Sequence, residues 1–178
     1  MVVKEEDLVV DAIAKNRMAI FLISKDVVDE EGKMIEIGAG RGVAVSTDGI
    51  VAVDDSLVFE KGSYYIKNES GKFKASFVSA EKEGFSLLKI GEPVDGKSKV
   101  SYIVPAFGDI EKMKIGQKII VLGSGVSSFI FEGNKDIKMN VTKSNGGGMV
   151  LDLDGNILGI ALSGESSSFA EIGAITNA

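Results

Sequence analysis

A chain of 178 residues, 44% of them hydrophobic and 22 of them glycine, is long enough to bury a substantial core as one domain or two small, closely packed ones. Its 20 basic and 26 acidic residues give a net charge of -6 and no concentrated basic patch, which excludes nucleic acid as a partner. Histidine and cysteine are both absent, which removes disulfides, thiolate nucleophiles, cysteine-zinc sites and the commonest metal ligand, so neither metal nor cofactor is expected.

In chain order, Leu8, Val9, Ala12 and Ile13 recur at helical spacing within residues 7–17, and Glu5, Glu6 and Asp7 stand where a helix dipole favours negative charge. This is predicted as the only substantial helix. Alternating apolar segments follow at 18–23, 35–46, 50–53, 64–67, 73–80 and 86–90, separated by turn signals such as Glu31-Gly32, Asp48-Gly49 and Ser70-Gly71. Between residues 91 and 114 the pattern is broken by Pro93, Asp95-Gly96, Pro105 and Gly108-Asp109, which reads as a connection holding one short strand. A second set of strands is predicted at 118–122, 128–131, 137–141, 149–153, 157–163 and 169–175. Many short, evenly spaced strands predict an all-β chain built of antiparallel barrels or sandwiches, and pattern alone does not separate the two. No apolar run approaches the ~20 residues needed to cross a bilayer, and no charged-then-apolar leader opens the chain, so no membrane insertion is expected.

Two motifs have simpler readings than their chemistry suggests. Gly38-Ala39-Gly40-Arg41-Gly42 lacks the spacing of a phosphate-cradling loop and precedes a strand, where close backbone approach is reason enough for its glycines. Asp152-Leu153-Asp154-Gly155-Asn156 begins like a calcium loop, but Ile157 and Ser163 stand where the turn glycine and the bidentate glutamate belong; a type I′ or related hairpin turn explains it better. Asp54-Asp55 is a potential carboxylate pair, yet neighbours on a strand point to opposite faces, which argues against a shared site.

The most telling segment is Ser144-Asn145-Gly146-Gly147-Gly148-Met149 and the hairpin after it, which resembles the G-N-S-G-G-P segment of HtrA-like (Deg) serine proteases. The resemblance puts Gly146 at the reactive serine. Asp48-Gly49-Ile50-Val51-Ala52-Val53-Asp54-Asp55-Ser56-Leu57-Val58 is similar to the family's D-G-Y-I-L-T-N-N-H-V-V, with Ser56 at the histidine. Gly84-Phe85-Ser86-Leu87-Leu88-Lys89-Ile90 is similar to D-I-A-L-L-K-I, with Gly84 at the orienting aspartate. Acyl transfer of that type needs an attacking hydroxyl and an imidazole base, and neither stands at these positions.

What the resemblance implies is a trypsin-like double six-stranded antiparallel β-barrel with a short N-terminal helix. The first barrel would cover 18–92, the connection 93–114 and the second barrel 115–178. Function is then expected to be that of a catalytically inactive, extracytoplasmic domain that binds peptide or protein or serves as a scaffold. By the same resemblance an extended peptide would pair with Ile160, Ala161, Leu162, Ser163 and Gly164, beside a specificity pocket flanked by Thr142, Ser144 and Asn145. The family has glycine at Ser144, and a side chain there disfavours the usual oxyanion-binding backbone. Two alternatives remain: a residual serine hydrolase using Ser56 with Lys143, or Ser86 as a further hydroxyl, and a purely structural oligomerisation domain of a membrane-anchored protein. Gly173-Ala174-Ile175-Thr176-Asn177-Ala178 resembles the family's closing strand without the helix after it, which implies a piece excised from a longer chain.

Overall fold

A computed structural model describes residues 4–56, 58, 60–133, 145–164 and 168–178. Helix α1 (Glu5–Asn16) opens the chain with three acidic residues in its first turn and Lys15 in its last, matching the helix dipole at both ends. Its inner face carries buried Ala12, with Val9 and Ile13 packed beside it. At its end the buried Asn16 amide donates to the carbonyls of Ala12 (2.9 Å) and Gly155 (2.7 Å), tying the helix to a hairpin 139 residues away.

Six strands follow: β1 (Ile20–Val28), β2 (Met34–Ala44), β3 (Ile50–Asp54), β4 (Tyr64–Asn68), β5 (Gly71–Ala80) and β6 (Phe85–Pro93). They close a barrel in the order β1-β2-β3-β6-β5-β4, with β4 returning to β1 through pairs such as Ile23↔Ile66. Side-chain alternation decides what goes inside. Phe21, Ile23, Val51, Val53, Ile66, Phe73 and Leu88 fill one buried cluster, while Val43, Ala52, Phe85 and Leu87, at the alternate positions, join a second. At the bulge between Ile23 and Ser24 Gly40 takes φ 113°, and a β-carbon on Gly42 would lie 2.5 Å from Val51 Cγ1, so this glycine-rich segment is explained by strand packing.

A five-stranded antiparallel sheet follows among the described residues, in the order β11-β10-β9-β7-β8. It comprises β7 (Lys118–Leu122), β8 (Val126–Ile130), β9 (Met149–Leu151), β10 (Ile157–Ala161) and β11 (Phe169–Glu171). Every residue of β9 and β10 is buried, because the sheet is covered on both faces. Ile120, Met149, Leu151 and Ile160 pack with the barrel's outer residues and α1, whereas Ile119, Val150, Leu158 and Ala161 pack with Ile110 and Phe131.

Several sequence expectations need correction. The first strand starts at Ile20, after a 3-10 turn at Arg17–Ala19, and runs on to Val28. The connection holds no strand among the described residues, only the isolated bridge Phe107↔Ile157 and a 3-10 turn at Ile110–Lys112. The last predicted strand, 169–175, is a strand only to Glu171 and continues as helix α2 (Ile172–Thr176). Ile172 and Ile175, three residues apart, are both buried, a spacing that one helical face satisfies and strand alternation does not. The turn at Asp152 is a related hairpin form and not type I′ itself: only Gly155 has positive φ (79°), and its amide bonds the Asp152 carbonyl (3.1 Å), the pattern of a type I turn closed by a glycine bulge. The predicted strand 137–141 lies outside the described residues.

Candidate functional site

Alternation along β3 sends Val51 and Val53 into the barrel and Ile50, Ala52 and Asp54 toward the second sheet. Asp54 is therefore delivered, fully buried, to the seam between the two. From the other side come the turn at Gly146 and the chain just beyond β10. The Asp54 carboxylate accepts three hydrogen bonds: from the Ser163 amide (2.8 Å), the Ser163 hydroxyl (2.5 Å) and the Ser56 amide (3.1 Å). Ser163 thus spends its only hydroxyl proton on Asp54 and must accept from Ser56, whose Oγ lies 2.7 Å away. The result is a directed chain, Ser56 to Ser163 to Asp54, running from an exposed hydroxyl to a buried carboxylate.

Gly146 faces this network. A β-carbon added to it would lie 2.3 Å from Asp54 Oδ2 and 3.0 Å from Ser163 Oγ, so the space a nucleophile's side chain would need is already filled. The neighbouring turn is stitched to β10: the Gly147 amide donates to the Ala161 carbonyl and the Ala161 amide to the Gly148 carbonyl, both at 2.8 Å. Asn145 Oδ1 accepts from the Ser124 amide (3.1 Å) and hydroxyl (3.0 Å), anchoring the start of the turn to the chain after β7.

Gly84, just before β6, accepts the Asp55 amide (3.1 Å) and takes φ 101°; a β-carbon there would lie 3.1 Å from Leu162 Cδ1. The two adjacent aspartates do separate: Asp54 is buried in the network, while Asp55 is half-buried beside Gly84. Burial, and secondarily the charge of Asp54, raise the Asp55 carboxyl above its ordinary range. A carboxyl whose folded pKa is raised supports the fold most below its unfolded pKa and loses that support as pH rises through the folded value. Asp55→Asn should accordingly raise the urea midpoint at pH 7, and that advantage should vanish at about pH 3, where both side chains are neutral.

The structure brings Ser56, Gly84, Asn145, Gly146, Leu162 and Ser163 to this seam. Ile160 and Ala161 are fully buried and paired on both sides, to Met149 and Gly148 and to Ala170 and Phe169. Leu162 is buried, with its amide bonded to Ser168. Gly164, beyond the end of β10, is exposed, and a β-carbon on it would meet no atom within 4 Å. Ser86 turns away from the seam and donates to the Val58 carbonyl at 2.5 Å inside the barrel. Thr142, Lys143 and Ser144 lie outside the described residues. Sequence reasoning weighed Asp54 only as half of a carboxylate pair with Asp55 and missed its bonds to Ser163 beside Gly146, although its place on the face shared with Ile50 and Ala52 is visible in the alternation. Among the described residues no three His, Cys, Asp or Glu side chains are placed to hold a metal, and no helix is long and apolar enough to cross a membrane.

No protein-family model matches the chain. Its sequence is similar to proteins named "Probable periplasmic serine endoprotease DegP-like", with 27% identity over 157 residues for that of Brucella suis, covering 77% of this chain and 30% of the relative. The relative from Bartonella henselae is 22% identical over the same length, and that from Rhizobium meliloti 22% over 163 residues, or 80% of this chain and 31% of the relative. The chain spans about a third of the length of these curated relatives. These similarities support an HtrA-like family.

Proposed function

We propose that this chain is a catalytically inactive, trypsin-like double-barrel domain of HtrA type, working outside the cytoplasm as a binding or scaffold module. The observation that carries the reading is the Asp54 carboxylate occupying the space beside Gly146, in a chain without a single imidazole. Serine acylation needs a hydroxyl at that point and a base that titrates near neutrality to accept its proton. Here the corresponding volume holds a carboxylate that already accepts from the Ser56 amide and from the Ser163 amide and hydroxyl. The division into a barrel at 18–92, a connection at 93–114 and a second barrel at 115–178 is part of the same proposal. The five strands described in the second part and the DegP-like similarity support it.

In such a domain the backbone left to hold an extended peptide is short. Ile160, Ala161 and the Leu162 amide are engaged within the fold and the Ser163 amide with Asp54, so peptide pairing would fall to the Ser163 carbonyl and Gly164.

A second reading has one observation in its favour. The directed chain from Ser56 through Ser163 to Asp54 points the Ser56 proton toward a carboxylate, the arrangement a residual serine hydrolase would use. A fluorophosphonate probe with a casein turnover assay separates the two. The inactive reading expects no labelling and no cleavage in the parent chain or in Ser56→Ala, while labelling that disappears in Ser56→Ala would establish the hydrolase. A pull-down from a peptide library, repeated with Gly164→Pro, reads the binding role independently: retention that Gly164→Pro abolishes supports pairing at this edge.

A further inference from the structure

On the far side of the barrel β4 and β5 diverge. They pair from Asn68↔Gly71 to Tyr64↔Ala75, but β5 continues to Ala80. The chain before Tyr64 follows β1 instead, with the Asp26 amide donating to the Ser63 carbonyl at 3.0 Å. Residues 76–80 stay bound to β6 on their other side, from Ser76↔Lys89 to Ala80↔Ser86. The sheet splits into a wedge. An open pocket of about 480 Å3 lies in it, lined by Lys61, Ser63, Tyr65, Lys74, Ser76 and Phe77 among others.

Three features of the wedge point to one kind of occupant. Among the described residues no backbone group pairs with the outer edge of 76–80, so a row of donors and acceptors faces the opening. That edge reads Ser76-Phe77-Val78-Ser79-Ala80, without charge or proline; a β-bulge between Phe77 and Ser79 breaks its register with β6 at Val78, which is 51% exposed. Lys61 and Lys74 form no ion pair with a described residue, although the protein carries a net charge of -6. Tyr65 is held in place by its hydroxyl, which donates to Asp26 Oδ2 at 2.8 Å, so the aromatic wall is formed in advance.

We infer that this wedge is a second docking site, separate from the seam at Asp54, which takes an extended acidic segment of a partner protein as an added strand along residues 76–80. The partner's carboxylates meet Lys61 and Lys74, and an intervening apolar side chain rests against Tyr65 and Phe77. A small carboxylate would use the lysines and leave the strand edge unpaired. A second copy of this chain pairing edge to edge would offer Lys61 and Lys74 no carboxylate from residues 76–80 themselves. The strand edge and the two cations are satisfied together only by an acidic peptide in extended form.

The test uses a fluorescein-labelled, end-capped hexapeptide of alternating valine and glutamate, its valine-lysine counterpart, and the glutamate peptide N-methylated at alternate amides. Polarisation titrations are paired with amide shift mapping. The inference expects the glutamate peptide to bind, with shifts confined to residues 61–65 and 74–80. Lys61→Glu with Lys74→Glu should weaken it by about tenfold or more, as should N-methylation. Both lysines are exposed; if the double reversal nevertheless misfolds, Lys61→Gln with Lys74→Gln carries the same readout. The inference is overturned by no binding, by binding indifferent to charge or to N-methylation, by free glutamate competing as well as the peptide, or by light scattering that shows self-association through this edge. Shifts confined to Ser163 and Gly164 would overturn it while upholding the seam as the peptide site.

Discussion

Gly147→Ala is expected to destabilise the chain severely, moving its urea midpoint far below that of the parent. Gly147 adopts φ 81°, where a side chain costs roughly 1–2 kcal/mol, and its β-carbon would fall 2.1 Å from the Arg41 carbonyl oxygen. That oxygen belongs to β2, paired with β1 through Leu22↔Arg41 inside a closed barrel, so no side-chain rotation relieves the contact. The alternatives are to pull the turn off β10, which breaks the Gly147 bond to Ala161, or to part the two sheets, which exposes the cluster containing Val43, Ala52, Met149 and Ile160. We expect a loss of more than about 4 kcal/mol, a large share of the stability of an ordinary domain. Urea unfolding followed by circular dichroism measures it, with Gly164→Ala, which meets nothing within 4 Å, as the neutral control. A Gly147→Ala midpoint matching the control's would show that the two sheets do not approach so closely here.

Gly146→Ser is the second large effect. The new β-carbon would lie 2.3 Å from Asp54 Oδ2, and the carboxylate cannot move aside without giving up its bonds to Ser163 and Ser56. A loss of about 2–4 kcal/mol is expected, from overpacking combined with a broken buried network. Asp54→Ala on its own removes that network's acceptor and should also destabilise. In the double variant the two losses should fall short of their sum by about 1–3 kcal/mol, because the truncated side chain makes room for the serine. Strict additivity would mean that Asp54 is not the obstacle. Installing Ser56→His, Gly84→Asp and Gly146→Ser together is therefore expected to fail unless Asp54 is shortened as well. Gly84 adds its own resistance through its positive φ and the nearness of Leu162.

The same contacts bear on what the seam is for. In an active serine hydrolase the volume beside the nucleophile is kept open for substrate and for a mobile proton. Here Ser163 and Asp54 fill it, and the proposal of an inactive domain rests on that contact.

Much of this architecture was legible in the residues. Each of the eleven strands among the described residues overlaps a segment that alternation predicted, because side-chain direction in a strand depends only on its neighbours. The turns at Gly32, Gly49 and Gly155 were marked by glycines that do adopt positive φ. The absence of imidazole and thiol was plain from composition alone, and it limited the chemistry before any fold was considered. The final helix was misread as strand because its 5 residues show no more than Ile172 and Ile175 in periodic contact with the core.

Tertiary structure decided the rest. That Asp54 fills the space beside Gly146 depends on Ser163, 109 residues further along, and no local pattern encodes a pairing at that distance. The split between β4 and β5 likewise arises because the chain before Tyr64 bonds to β1, a choice made by barrel closure and not by the residues at the opening. Periodicity determines which way each side chain points; the packing of one sheet against another determines what it meets.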